Sequence, residues 1–145
     1  MKKILVPVDG SSFAMNAVNE AKKLAEAFGS EIVLLTVVNY NLKSDVMYTG
    51  GVTDIQPVVV RAKADAEKNL ADAMKALGDL GSKTKTELLY GDPADQILDY
   101  LKTNDVDYVV MGSAGMGFSS LRRLFVGSVT NKILQNVSQP VLIVK

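Results

Sequence analysis

Five short apolar runs rich in β-branched residues recur along the chain, at Ile4 to Val8, Ile32 to Val38, Thr86 to Leu89, Val106 to Met111 and Val141 to Val144. Apart from isolated polar residues they lack the strict apolar-polar alternation of a strand with one face in water, so they predict strands covered on both faces. Between them lie segments of helical period. The first carries Ala14, Ala17, Val18, Ala21, Leu24, Ala25 and Phe28 on one stripe, opened by Ser11 or Ser12 as cap and closed by Gly29. The second runs from about Pro57 to Leu80, with Ala62, Ala66, Leu70, Ala73, Met74 and Leu77 as its buried stripe and Gly81 as its stop. The third opens at Asp92-Pro93, a capping acceptor followed by a proline whose missing N–H is not needed there, and buries Ile97, Tyr100 and Leu101. The fourth begins near Gly127-Ser128, with Val129, Ile133, Leu134 and Val137 on one face.

Strands and helices in strict alternation, joined by right-handed crossovers, predict a three-layer α/β/α fold: a five-stranded parallel sheet with helices on both faces. A length of 145 residues is that of one domain. The apolar runs are far too short to cross a membrane, and the start reads as a first strand rather than a leader, so the expected location is cytoplasmic. One connection breaks the economy. Asn39 to Gln56 joins the second strand to the second helix through 18 residues, beyond the roughly 12–15 of an unstructured loop in a compact domain. A flap over a ligand and a surface excursion account for it equally well.

The chain has no histidine and no cysteine. That excludes an imidazole base, a thiol nucleophile, a Ser-His-Asp triad and a Cys/His zinc site. Its 16 basic and 16 acidic residues cancel, which argues against a nucleic-acid partner bound through phosphate neutralisation. The balance is uneven, because no acidic residue follows Asp107 while Arg122, Arg123, Lys132 and Lys145 do. Arg122 and Arg123 are thus either part of a local anion site or two cations on a solvated turn.

In open parallel sheets ligands bind beyond the carboxyl ends of the strands where the winding reverses, which singles out the loops after the first and fourth strands. After the first comes Asp9-Gly10-Ser11-Ser12, a carboxylate followed by a turn and hydroxyls at a helix start. After the fourth comes Met111-Gly112-Ser113-Ala114-Gly115-Met116-Gly117-Phe118, which leads on to Gly127-Ser128-Val129. Three glycines in six residues let backbone N–H groups approach an anion, and the following helix adds free amides and the positive end of its dipole. This outlines a phosphate cradle. It is not a Walker loop, since Phe118 stands where the lysine belongs, and it lacks the third glycine of the dinucleotide fingerprint. Each of these residues also has a purely structural role open to it: Asp9 as a turn-forming carboxylate, Ser128 as a helix cap, Pro7 and Val37 as strand packing.

Taken together, Val6-Pro7-Val8-Asp9-Gly10-Ser11, Leu34-Leu35-Thr36-Val37-Val38, Gly91-Asp92-Pro93, Val109-Val110-Met111-Gly112-Ser113, Gly127-Ser128-Val129 and Gln139-Pro140-Val141-Leu142-Ile143-Val144 resemble the universal stress protein family, of the adenine nucleotide alpha hydrolase-like superfamily, along the whole chain. The resemblance implies sheet order 3-2-1-4-5 and a homodimer through the last strand, Val141 to Val144. It also implies an ATP-binding regulatory protein of the cytoplasmic stress response, with ADP or AMP as alternative ligands and Mg or Mn accompanying the nucleotide. By position Pro7 and Val37 would line the adenine, with the Val37 backbone reading the base, and Asp9 would lie near the ribose or a phosphate-bound metal. The backbone amides from Gly112 to Gly117, those of Ser113 and Gly115 among them, would hold the phosphates together with the Ser128 hydroxyl and the N–H groups of Ser128 and Val129, and Met111 and Gly127 would belong to the same binding site. ATP-binding members carry Gly, two residues, Gly, nine residues, then Gly-Ser or Gly-Thr. Here either eleven residues separate Gly115 from Gly127, or Gly117 starts the nine-residue spacer and four residues follow Gly112; both ways the loop is two residues longer than that pattern. No catalytic residue is expected, and without histidine or a lysine in the glycine loop hydrolysis would be slow or absent. The alternatives are a slow ATPase, or a dimerising interaction module of the same fold that no longer binds ATP. Neither a nucleic acid nor a membrane is expected as partner.

Overall fold

A computed structural model describes residues 2–39, 56–116 and 126–145. The apolar runs form strands β1 (Lys3–Pro7), β2 (Glu31–Val38), β3 (Lys85–Tyr90), β4 (Tyr108–Gly112) and β5 (Val141–Val144). They make one sheet in the order β3-β2-β1-β4-β5, every pairing parallel, as expected. The helices are α1 (Ser12–Phe28), α2 (Gln56–Leu77), α3 (Pro93–Thr103) and α4 (Ser128–Asn136).

Period-two alternation divides the strand side chains between two cores. Ile4, Val6, Ile32, Leu34 and Val110 pack under α1 and α2 with Val18, Leu70 and Leu77. Leu5, Val33, Leu35, Val109 and Met111 pack on the opposite face with Ile97, Leu98, Leu101 and Ile133 of α3 and α4. Each fully buried Leu, Ile or Val contributes about 1.5–3 kcal/mol, and the two cores together hold the three layers. Burial on both faces holds for β1, β2 and β4. It fails for the edge strands: Thr86 of β3 and Leu142 of β5 are exposed.

Several helix details differ from the sequence reading. Phe28 does not join the stripe of α1 but is 75% exposed, because Gly29 takes a left-handed C-cap directly after it. Gly81 does not end the second helix. The α-helix stops at Leu77, Gly78 turns at φ +59°, and a 3-10 segment, Gly78–Lys83, carries the chain past Gly81. On α4, Leu134 is exposed, while Thr130 is buried beside Ile133. The buried line therefore runs i, i+3 through a hydroxyl that an apolar pattern passes over. The stretch from 40 to 55, and with it the flap expected between Asn39 and Gln56, lies outside the described residues.

Because all strands are parallel, their carboxyl ends share one side of the sheet. The chain winds outward from β1 through β2 to β3 and, on the other side, through β4 to β5. The reversal falls between β1 and β4, and there the two unusual loops meet. Among the described residues no helix is long and apolar enough to cross a membrane.

Candidate functional site

A cavity of ≈ 350 Å³ opens at this reversal, within the size range of small-molecule sites. β1 and the turn after it contribute Pro7, Val8 and Asp9; β2 and the residue after it contribute Leu35, Val37 and Asn39; α3 contributes Pro93 and Ile97. The end of β4 adds Met111, Gly112, Ala114, Gly115 and Met116, and the start of α4 adds Gly127, Ser128, Val129 and Thr130.

Local chemistry sets each wall. Asp9 Oδ1 accepts the Ser11 amide at 2.9 Å, and Ser11 Oγ caps α1 by accepting the Ala14 amide at 3.1 Å. The second carboxylate oxygen, Oδ2, accepts the Met116 amide at 3.2 Å, so Asp9 bridges the two loops. A Cβ on Gly115 would lie 2.6 Å from that oxygen; only glycine lets the carboxylate sit there. Gly112 answers to packing instead, since a Cβ there would come within 2.8 Å of the Phe13 backbone in the first turn of α1. The start of α4 is pinned to the end of β4 by the Gly127 amide donating to Ser113 O at 2.8 Å and by the buried Thr130 hydroxyl donating to Gly112 O at 3.0 Å.

The helix starts around the cavity are not alike. Ser11 caps α1 and Asp92 caps α3, whereas Gly127 precedes α4 and offers no side-chain cap. The amides of the first turn of α4 are thereby left for solvent or a ligand at the positive end of the helix dipole. At the other end of the cavity the backbone of Val37 is turned inward. Leu35 O accepts the Val8 amide on the β1 side, and Val38 O accepts the Gly91 amide on the β3 side. Polar groups alternate sides along a strand, so those of Val37 point toward β1, whose pairing ends at Pro7 with Leu35. Lys132 of α4 reaches α3, 2.6 Å from Asp95 and 3.9 Å from Asp92. The Asp95 hydrogen bond holds its ammonium above the ordinary 10.5. Asp9 is the one ionisable side chain among the described residues that line the cavity.

Of the residues singled out from sequence, Pro7, Asp9, Val37, Met111, Gly112, Gly115, Gly127, Ser128 and Val129 line this one cavity. Ser113 does not. Its amide donates to Val144 O at 2.8 Å, extending the β4–β5 ladder, and its carbonyl holds Gly127, so its backbone is committed to the fold. Gly117, Arg122 and Arg123 lie outside the described residues. Sequence reasoning missed Ala14, Leu35, Asn39, Pro93, Ile97 and Thr130 as lining residues. Thr130 left a signal, a hydroxyl on the buried line of a short helix, and Asn39 left one as the polar residue that directly follows β2.

A model described as the universal stress protein family matches residues 1–145. Universal stress protein MJ0531 of Methanocaldococcus jannaschii is 31% identical, over 99% of this chain and 82% of its own length. Among solved structures, MJ0577 of the same organism superposes with a TM-score of 0.81 at 28% identity, covering 99% of this chain and 95% of its own. The universal stress protein UspA from Lactobacillus plantarum gives 0.78 at 26%, covering 99% and 97%. At lower identity the fold is shared with three structures that carry nucleotides. They are the Archaeoglobus fulgidus universal stress protein with dAMP (20%, TM-score 0.69), an Arabidopsis thaliana member with AMP (18%, 0.67) and one with cAMP (22%, 0.63).

Proposed function

Because the chain belongs to the universal stress protein family, we propose that it is a cytoplasmic stress-response regulator that binds an adenine nucleotide in the cavity between β1, β2, β4 and α4. The observation that carries the reading is the uncapped start of α4 opening into that cavity. A phosphate at a helix N-terminus takes up the orphan amides and the dipole together. The relatives solved with dAMP, AMP and cAMP support the same ligand class.

In this reading the base lies at the apolar end, against Pro7 and Ile97, and the inward N–H and C=O of Val37 match a neighbouring acceptor and donor on the adenine edge. The phosphates lie at the other end, against the amides of Gly115, Met116, Ser128 and Val129 and the Ser128 hydroxyl, with Met111 and Gly112 forming the floor. ATP is the proposed physiological ligand, with ADP and AMP sharing the base and first phosphate. The described residues hold no group of three or more His, Cys, Asp or Glu that would bind a metal on its own. Mg or Mn would therefore come with the nucleotide and take Asp9 as its protein carboxylate, supplying charge neutralisation of the phosphate chain. With Asp9 as the one ionisable group among the described lining residues, these residues suit holding a phosphate chain better than hydrolysing it. β5, at the sheet edge, offers unpaired backbone groups to a second copy of the chain.

Calorimetric titration tests the binding claim. AMP and Mg-ATP should give saturable heats with one site per chain. No heat with either at near-millimolar nucleotide would contradict it and favour an interaction module of the same fold.

A further inference from the structure

The Asp9 carboxylate accepts a backbone amide of the glycine loop that a ligand anion could otherwise take. One oxygen accepts the Met116 amide at 3.2 Å and rests over Gly115, 2.6 Å from where a Cβ would stand; the other is held by the Ser11 amide at 2.9 Å. Among the described residues it has no ion-pair partner, and the bonds it accepts there come from backbone amides. The same carboxylate lines the cavity onto which the free first-turn amides of α4 open. Two anions in one small cavity repel, and one amide hydrogen serves only one of them at full strength.

We propose that Asp9 is a built-in competitor for phosphate, an autoinhibitory contact between its carboxylate and the Met116 amide of the glycine loop. The inference rests on the nucleotide reading above and deepens it. A nucleotide phosphate takes the Met116 amide by displacing the carboxylate into solvent, which its exposed position allows, or by arriving with a divalent cation that both anions share. Affinity for phosphate-bearing ligands is then set by Asp9 and by the cation, whereas adenosine, which brings no charge, is indifferent to the contact. The glycine at 115 serves the self-contact as much as the ligand.

The test compares wild type with Asp9→Asn, which keeps the shape and an accepting oxygen but removes the charge. AMP, ATP and adenosine are titrated into each in EDTA, and ATP again with excess Mg. In EDTA the ratio of AMP affinity to adenosine affinity should rise about tenfold in the variant, in keeping with the greater strength of charge-assisted hydrogen bonds. For wild type, ATP should bind about tenfold tighter with Mg than in EDTA, a measurement that stands even if the variant fails to fold. An AMP-to-adenosine ratio that is unchanged or lower in Asp9→Asn overturns the competitor role, as does equal wild-type affinity for ATP with and without Mg. If neither protein binds adenosine, AMP or ATP under any condition, the nucleotide reading itself is wrong and the competitor role falls with it.

Discussion

A Cβ at position 112 would strike the Phe13 backbone, one at 115 the Asp9 carboxylate, and one at 127 would lie 3.1 Å from the Ala114 Cα. The three glycines thus make room for a helix, an anion and a strand end respectively. A glycine-rich loop after β4, with Gly117 outside the described residues, was legible in the sequence. Which atom each one faces was not, because Phe13 and Asp9 arrive from the other end of the chain through sheet pairing. Thr130 makes the same point from the polar side. Its hydroxyl is the buried partner of Gly112 O, and replacing it by valine keeps the volume while orphaning that carbonyl. Thr130→Val should lower unfolding stability by about 1–3 kcal/mol, read as a shift in the urea midpoint at constant slope. An unchanged midpoint would mean that the carbonyl finds another partner.

Elements were read more accurately at their centres than at their ends. The strands fall where the β-branched runs predicted, within two residues. Gly78 rather than Gly81 ends α2, since both glycines permit a stop and the choice depends on where Leu77 completes its burial against the sheet. One contact between elements gives a pH dependence with a definite sign. Asp107, just before β4, accepts the Lys3 amide at 2.8 Å and the Lys2 ammonium at 3.2 Å. These two hydrogen bonds, the backbone one first, hold its carboxyl below the ordinary 3.8. The unfolded chain therefore takes up this proton at a higher pH than the folded one. The contribution is complete above the ordinary carboxylate range and is lost as pH falls through the folded value. Asp107→Asn should lower Tm at neutral pH, and its gap from wild type should narrow as both are melted down to about pH 3. A gap that stays constant with pH would remove Asp107 as the source.

At the scale of the whole molecule, parallel order and one reversal of winding were enough to locate the cavity from sequence, because every strand's carboxyl end lies on one side of the sheet. What the pattern could not separate was a strand buried on both faces from one at an edge. β5 looks fully apolar in sequence, yet Leu142 is 42% exposed, alongside Tyr108 and Phe28. The proposed dimer would cover this edge. Sedimentation should give twice the 15.6 kDa chain mass at micromolar concentration, reduced to the monomer by Leu142→Lys; a wild-type monomer would contradict it. The central claim, that the cavity between β1, β2, β4 and α4 holds an adenine nucleotide, is tested most directly by following backbone amide resonances while AMP is added. The account predicts saturable shifts concentrated at Val37, Ala114, Gly115, Ser128 and Val129. Shifts confined to other surfaces, or none at near-millimolar AMP, would contradict it.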